Sequence, residues 1–307
     1  MLFLLETVVS GLLAGVMYSL VALGFVLIFK ASGIFNFAQG VFALFAGLAL
    51  YDFIADDGWF YHVFGFVLPV WAGIIATMGV MVIVAWLVEF LVLRHLVNQE
   101  PIILFMSTIG LAYFLEGLGD TLFGSDVKPL DIGLPHGAVD FLLDDYNFYV
   151  EKLEIVAAVV AAVLVVVLAV FFQKTRIGRA LRAVADDHQA ALSVGISLRT
   201  IWVIVWSVSG FVALVAGIMW GSKSGIQFSL SLIALKALPV LILGGFTSVP
   251  GAIIGGLIIG VGEKVAEVYA GPFVGGAIEN WFAYMLALAF LLFRPQGLFG
   301  EKIIERV

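Results

Sequence analysis

The chain contains no cysteine among its 307 residues. Disulfides and thiolate-bound metals are thereby excluded, although the compartment is left open. Charge is scarce too: 12% of residues are Asp, Glu, Lys or Arg, against about 25% in an ordinary soluble domain. The four histidines, His62, His95, His136 and His188, are scattered over loops and span ends, so neither a metal cluster nor a catalytic centre is expected. Nothing matches G-x-x-x-x-G-K-[ST], HExxH or GxSxG. The chain therefore lacks the phosphate loop needed to hold ATP in the P-loop manner, and it does not read as an enzyme. It also lacks an Arg-rich voltage-sensor helix and a TVGYG-like filter, which disfavours a channel. No basic cluster is interleaved with aromatics, which disfavours nucleic acid.

What is abundant is apolar length. The chain is 63% hydrophobic, with a mean hydropathy of +1.16. Several stretches run about 20 residues almost without charge, the length a helix needs to cross a bilayer. The expected fold class is an all-α polytopic membrane protein, since a β-barrel would show short alternating segments. Low polarity places spans near 8–29, 36–54, 69–93, 101–122, 153–172, 201–220, 231–246, 249–270 and 278–293. The seventh is short enough to be re-entrant, which gives eight or nine crossings with broken segments. The opening MLFLLETVVSGLLAGVMYSL has no positive n-region, and its apolar run is too long for a signal peptide, so it reads as a retained helix. Residues 1–307 read as one membrane domain without a linker.

Charge supplies the orientation. The segments at Lys30, 94–100, 173–200, 247–248 and 294–307 hold 10 of the 15 Lys and Arg, and the positive-inside rule makes them cytoplasmic. The opposite side is acidic and carries the largest external loop, 123–152, whose Pro129, Gly133, Pro135 and Gly137 predict order through turns. Nine spans put the N-terminus outside and the C-terminus inside. Glycines recur at four-residue spacing at Gly11 and Gly15, Gly251 and Gly255, and Gly256 and Gly260. In lipid such positions let helices approach closely; packing is the ordinary reading and a gating surface the alternative. Two spans each begin after a polar, Gly-containing break, KASG at 30–33 and GGFTSVPG at 244–251, which hints at an internal repeat.

The segment 173–200 reads as an amphipathic helix from Ile177. Ile177, Ala180, Leu181, Val184, Ala185, His188, Ala191 and Leu192 recur at three- and four-residue spacing. Arg179, Arg182, Asp186, Asp187 and Gln189 fall mostly on the other side. Thr175 is placed to cap the start, and Gly195 to end the helix in a left-handed conformation. The polar face is mixed in sign and the apolar face is made of small residues, which suits a protein groove better than a lipid surface.

Three stretches in order, NFAQG at 36–40, RIGRALRAVADDHQAALSVGIS at 176–197 and KALPVLILGGFTSVPGAIIGGLIIGVGE at 236–263, resemble the permease subunits of bacterial ABC importers for branched-chain amino acids. The LivH-type subunit is the closer match, and RPQGLFG at 294–300 fits it too. The resemblance implies a second related permease, two separate ABC ATPase subunits that bind ATP and Mg, a periplasmic solute-binding protein, and no cofactor on this chain. It implies an inner-membrane location and a cytoplasmic coupling loop. Arg176, Gly178, Arg179, Arg182, Asp186, Asp187 and Gly195 are the candidate ATPase-coupling residues in that loop. Urea and amide importers belong to the same broad group. Where many relatives read NFAHGE, this sequence reads NFAQGV, so Gln39 and Val41 stand in place of a His and a Glu, which implies a shifted substrate preference.

The break at 30–40 then has a physical reading. Lys30 ends a span, Ser32 and Gly33 turn the chain, and a helix begins near Asn36. Its N-terminus offers free N–H groups and a partial positive charge suited to a carboxylate. Asn36, Gln39 and Gly40 there, with Glu263, are the candidate substrate-pathway residues; a capped interfacial turn is the alternative for Asn36. Gly251, Gly255, Gly256 and Gly260 are the candidate packing residues. Glu89 is expected to snorkel toward the inner surface near Arg94, Lys236 to extend outward, and Lys264 to pair with Glu263 or Glu267. An ion-driven secondary transporter of small organic solutes is the alternative class, and a membrane scaffold the third.

Overall fold

A computed structural model describes residues 2–96, 99–186 and 188–300. Long apolar runs with few interior charges give helices throughout. They are α1 (Leu2–Ser32), α2 (Gln39–Ile54), α3 (Trp59–Phe64), α4 (Val70–Leu91), α5 (Pro101–Phe123), α6 (Asp140–Tyr146), α7 (Lys152–Lys174), α8 (Arg176–Asp186), α9 (His188–Ser193), α10 (Leu198–Ser224), α11 (Ile233–Gly244), α12 (Val249–Tyr269), α13 (Gly271–Val274) and α14 (Glu279–Phe293). Among the described residues, extended pairing is limited to two isolated bridges, Lys128 with Ile226 and Ala138 with Glu151. Among the described residues, seven helices are long and apolar enough to cross a membrane, in line with the expected all-α polytopic class. The loop 123–152 is ordered by turns at Gly124, Gly133, Gly137 and Asn147, all with positive φ. It also holds α6, whose short DFLLDDY pattern the turn residues had masked.

The chain forms two compact units. One takes in residues 2–26, 133–164 and 235–300, the other 27–132 and 165–234. In the second unit α2 is buried from Gln39 to Leu50 and again at Asp52. Close approach makes this possible: a Cβ on Gly217 of α10 would meet the Ala43 carbonyl, and one on Gly210 would stand 3.0 Å from Met81 of α4. Phe42 meets the Trp206 ring edge-on at 5.8 Å, and Phe45 meets Phe123 of α5 at 5.7 Å.

In the first unit α1 crosses α12 on paired small residues. A Cβ on Gly11 would lie 2.9 Å from the Gly260 carbonyl, and one on Gly15 would enter the Gly256 backbone. The Ser19 hydroxyl, buried at this crossing, donates to Gly15 O at 2.8 Å and reaches Ala252 O at 3.2 Å. Gly251 and Gly255 continue the close contact on α12 toward Gly244 and Val240 of α11. All four predicted packing glycines thus stand where backbone meets backbone.

The seventh apolar segment is a 3-10 turn, Phe228–Leu232, leading into the 12-residue α11, which contains Pro239. At 1.5 Å per residue α11 rises about 18 Å, well short of the roughly 30 Å of bilayer hydrocarbon. Pro239 has no N–H to give the Leu235 carbonyl four residues back. The Tyr284 hydroxyl of α14 donates to that oxygen instead, at 2.6 Å. At the other end of α11, Leu298 N–H donates to Leu243 O at 2.8 Å and Phe299 N–H to Gly244 O at 3.2 Å. The RPQGLFG segment is thus the cap of α11.

Backbone contact at the α1–α12 crossing leaves no room for a methyl group, while a Cβ on Gly117 of α5 meets nothing within 4 Å. A Gly256→Ala substitution is expected to cost about 1–3 kcal/mol through overpacking. Gly117→Ala should leave stability unchanged or slightly raised. Thermal unfolding of the two purified variants in one detergent checks the contrast.

Candidate functional site

The break after α1 begins at Gly33, which takes φ +67° and donates its N–H to Phe29 O at 2.8 Å. The Asn36 Oδ1 accepts the Ala38 N–H at 3.1 Å, which turns the chain, and α2 starts at Gln39. The helix therefore begins three residues later than the sequence suggested, because Asn36 forms a side-chain turn rather than the first helical residue. Both Asn36 and Gln39 have 0% exposure. The Gln39 Oε1 accepts the Ser209 hydroxyl of α10 at 2.8 Å and lies 3.4 Å from Asn36 Nδ2. Its Nε2 donates toward Ser209 O at 3.4 Å. The amide that needed a partner inside a span finds it on α10.

The broken backbone itself is satisfied from α5. The Thr108 hydroxyl accepts Phe37 N–H at 3.0 Å and reaches Phe35 O at 3.1 Å. Gly40 faces the short 3-10 turn, since its Cβ would collide with Ser231 O. The break is thus a neutral, closed polar knot of Asn36, Gln39, Thr108 and Ser209. Thr108 and Ser209 escaped the sequence reading because a lone hydroxyl in an apolar span is common, and its own helix accepts it readily.

A second polar group lies in the other unit and is charged. Glu263 of α12 is 1% exposed. Its Oε2 stands 3.8 Å from Lys236 Nζ of α11, and Tyr18 is its neighbour on α1. Lys236 also donates to Glu279 O at 3.3 Å, and its ammonium lies 5.8 Å from the Tyr18 ring centroid. Lys236 therefore turns inward, where the sequence suggested an outward reach. Lys264 pairs with Glu279 of α14 at 3.0 Å, not with Glu263 or Glu267. Consecutive residues point about 100° apart on a helix, so 263 and 264 meet different neighbours. Glu267 instead accepts the N–H groups of Ala277 and Glu279 at 3.0 Å each, closing the turn before α14. Glu89 and Arg94 do pair, at 3.4 Å, with the guanidinium 3.7 Å over Phe90.

The amphipathic segment turns sharply off α7. The Thr175 hydroxyl accepts Gly178 N–H at 2.9 Å, the expected cap. A Cβ on Gly178 would strike the Phe171 and Phe172 carbonyls, so only glycine fits the corner. Leu181, Val184 and Ala191 face inward, while Arg176, Arg179 and Arg182 are exposed. Ile177 and Leu192, expected on the inner face, are 39% and 51% exposed. The helix ends at Gly195 with φ +84° and Gly195 N–H on Leu192 O at 3.0 Å. Asp186 closes α8, and Asp187, Lys302 and Arg306 lie outside the described residues.

Apolar helices broken at polar points, with an amphipathic helix held at a fixed corner, define a multi-pass α-helical membrane protein. The chain belongs to the family described as "Branched-chain amino acid transport system / permease component", which matches residues 7–294. It is similar to the high-affinity branched-chain amino acid transport system permease protein LivH of Escherichia coli K12, 27% identical over 100% of this chain and 98% of that one. It is also similar to BraD of Pseudomonas aeruginosa, 28% identical over 99% and 98%. A probable LivH of Methanocaldococcus jannaschii is 25% identical over 92% and 88%. Family membership implies partner ATPase and binding-protein components.

Removing one member of a buried pair leaves the other charge stranded, at a cost of about 3–5 kcal/mol. Lys236→Met is therefore expected to destabilise more than the double variant Lys236→Met/Glu263→Gln, measured by thermal unfolding in lipid discs. For the neutral knot, Gln39→Leu should cost about 1–3 kcal/mol by stranding buried polar groups. A double-mutant cycle with Ser209→Ala should return a coupling of about 0.5–3 kcal/mol.

Proposed function

We propose that the chain is the LivH-type permease subunit of an inner-membrane ABC importer. It admits branched-chain or related amino acids, or a similar small polar solute, to the cytoplasm. A second related permease, two ABC ATPases and a periplasmic binding protein complete the transporter. ATP and Mg are bound by the ATPases, and this chain carries no cofactor and no catalytic group. The N-terminus is periplasmic and the C-terminus cytoplasmic, with 173–200 facing the ATPases.

The observation that carries this reading is the corner at Thr175 and Gly178, which fixes α8 to α7 while leaving Arg179 and Arg182 exposed. A helix held rigidly at its base and bare on its polar side transmits force from a docked partner. In this proposal ATPase closure moves α8, and α10, which follows in the chain and packs on α2, carries the motion to the knot at Gln39. The pathway role of Asn36, Gln39 and Gly40 belongs to that motion: opening the knot exposes the start of α2, whose N–H groups suit a carboxylate. The names of the full-length relatives support amino acids as the solute class, and Gln39 in place of the family's His supports a shifted preference.

Charge reversal at Arg179 and Arg182 together is expected to abolish uptake while the ATPases retain hydrolysis in the purified complex. Unchanged uptake would remove α8 from the coupling role. A Gln39→His variant should change relative uptake among amino acids in a competition assay. Gradient-driven uptake by the purified chain alone, without ATPases, would instead favour a secondary transporter.

A further inference from the structure

The segment between α2 and α4 takes no part in the transport reading. It holds α3, none of whose residues is buried. Trp59 is 60% exposed, Phe64 56%, Phe66 52% and Trp71 69%. The segment is nevertheless firmly built. Asp52, itself buried at the end of α2, accepts Trp59 N–H at 2.6 Å and Phe60 N–H at 3.2 Å on its two carboxylate oxygens. This satisfies amides at the start of α3 and ties it to α2. Gly65 ends the helix with φ +74°, and Leu68 N–H returns to Phe53 O at 2.8 Å. The Phe60 ring meets Phe53 at 5.2 Å, Phe64 at 4.7 Å and Phe66 at 5.5 Å.

Three observations name what covers this patch. Residues 58–88 contain no Asp, Glu, Lys or Arg. The patch continues into a stripe on α4, where Trp71, Ile75, Ile83, Trp86, Leu87 and Phe90 are exposed at helical spacing, an apolar face of a span suited to lipid. The 22 residues of α4 rise about 33 Å, which already matches the roughly 30 Å hydrocarbon layer. The chain ahead of Pro69 therefore sits at the layer's boundary, the depth that Trp and Tyr favour because one end of each ring is apolar and the other polar.

We propose that α3 and Phe66 form an interfacial anchor, lying flat in the boundary between lipid headgroups and acyl chains and fastened to α2 through Asp52. The anchor holds that end of α2 at a fixed depth whatever solute the permease admits.

The test uses the intact complex in vesicles of brominated phosphatidylcholine, with the bromines placed either close to the headgroup or close to the chain end. The contribution of Trp59 is the difference between the parent and the Trp59→Phe variant, which preserves an aromatic ring and so the fold. Its emission should be quenched about twofold more strongly by shallow bromines than by deep ones, as an interfacial ring requires. Equal or stronger deep quenching would overturn the anchor in favour of a membrane-inserted segment. Absence of quenching by either lipid would overturn it in favour of a protein partner or water over the patch.

Discussion

Backbone N–H and C=O groups buried away from water must find partners, so every buried break in a helix must be answered by the protein itself. The structure is arranged around that demand. At residues 33–38 the answers come from Asn36 and from Thr108 of α5. At Pro239 the carbonyl of Leu235 is taken by Tyr284 of α14. At the end of α11 the carbonyls of Leu243 and Gly244 are taken by Leu298 and Phe299. Each answer pins a neighbouring element in place, so satisfying the breaks also assembles the units around them.

The two units meet this demand with different chemistry. In one, the break is lined by amides and hydroxyls alone, with no charge to desolvate. Such a knot opens and closes at modest cost, since a neutral hydrogen bond contributes only about 0.5–1.5 kcal/mol net. In the other, Lys236, Glu263, Lys264 and Glu279 join α11, α12 and α14 by ionic contacts. The contact to Glu263, whose carboxylate is fully buried, is costly to separate.

Small residues complete the arrangement. Apolar burial gives helices no net drive to associate in lipid, so contact depends on how closely backbones approach. Gly11 and Gly15 against Gly256 and Gly260, with Ser19 between, bring α1 and α12 together in this way. The same logic makes Gly178 a corner between α7 and α8, where it sets the direction of an otherwise ordinary amphipathic helix.

The spans, the break at Gly33, the Thr175 cap and the Gly195 stop were all legible in the sequence, because each depends on residues within a few positions of one another. Which spans are enclosed was not. An 18-residue stretch within Gln39–Phe64 has a mean hydropathy of 1.3 and is 78% buried, while one within Lys152–Lys174, at 3.4, is 17% buried. Hydropathy separates membrane from water but not protein from lipid, since both are apolar. Partners distant in the chain were also hidden: Gln39 with Ser209, Phe37 with Thr108, Leu235 with Tyr284, Lys264 with Glu279. A lone hydroxyl or charge in an apolar run carries no direction, and only the packing of helices decided what each of them would meet.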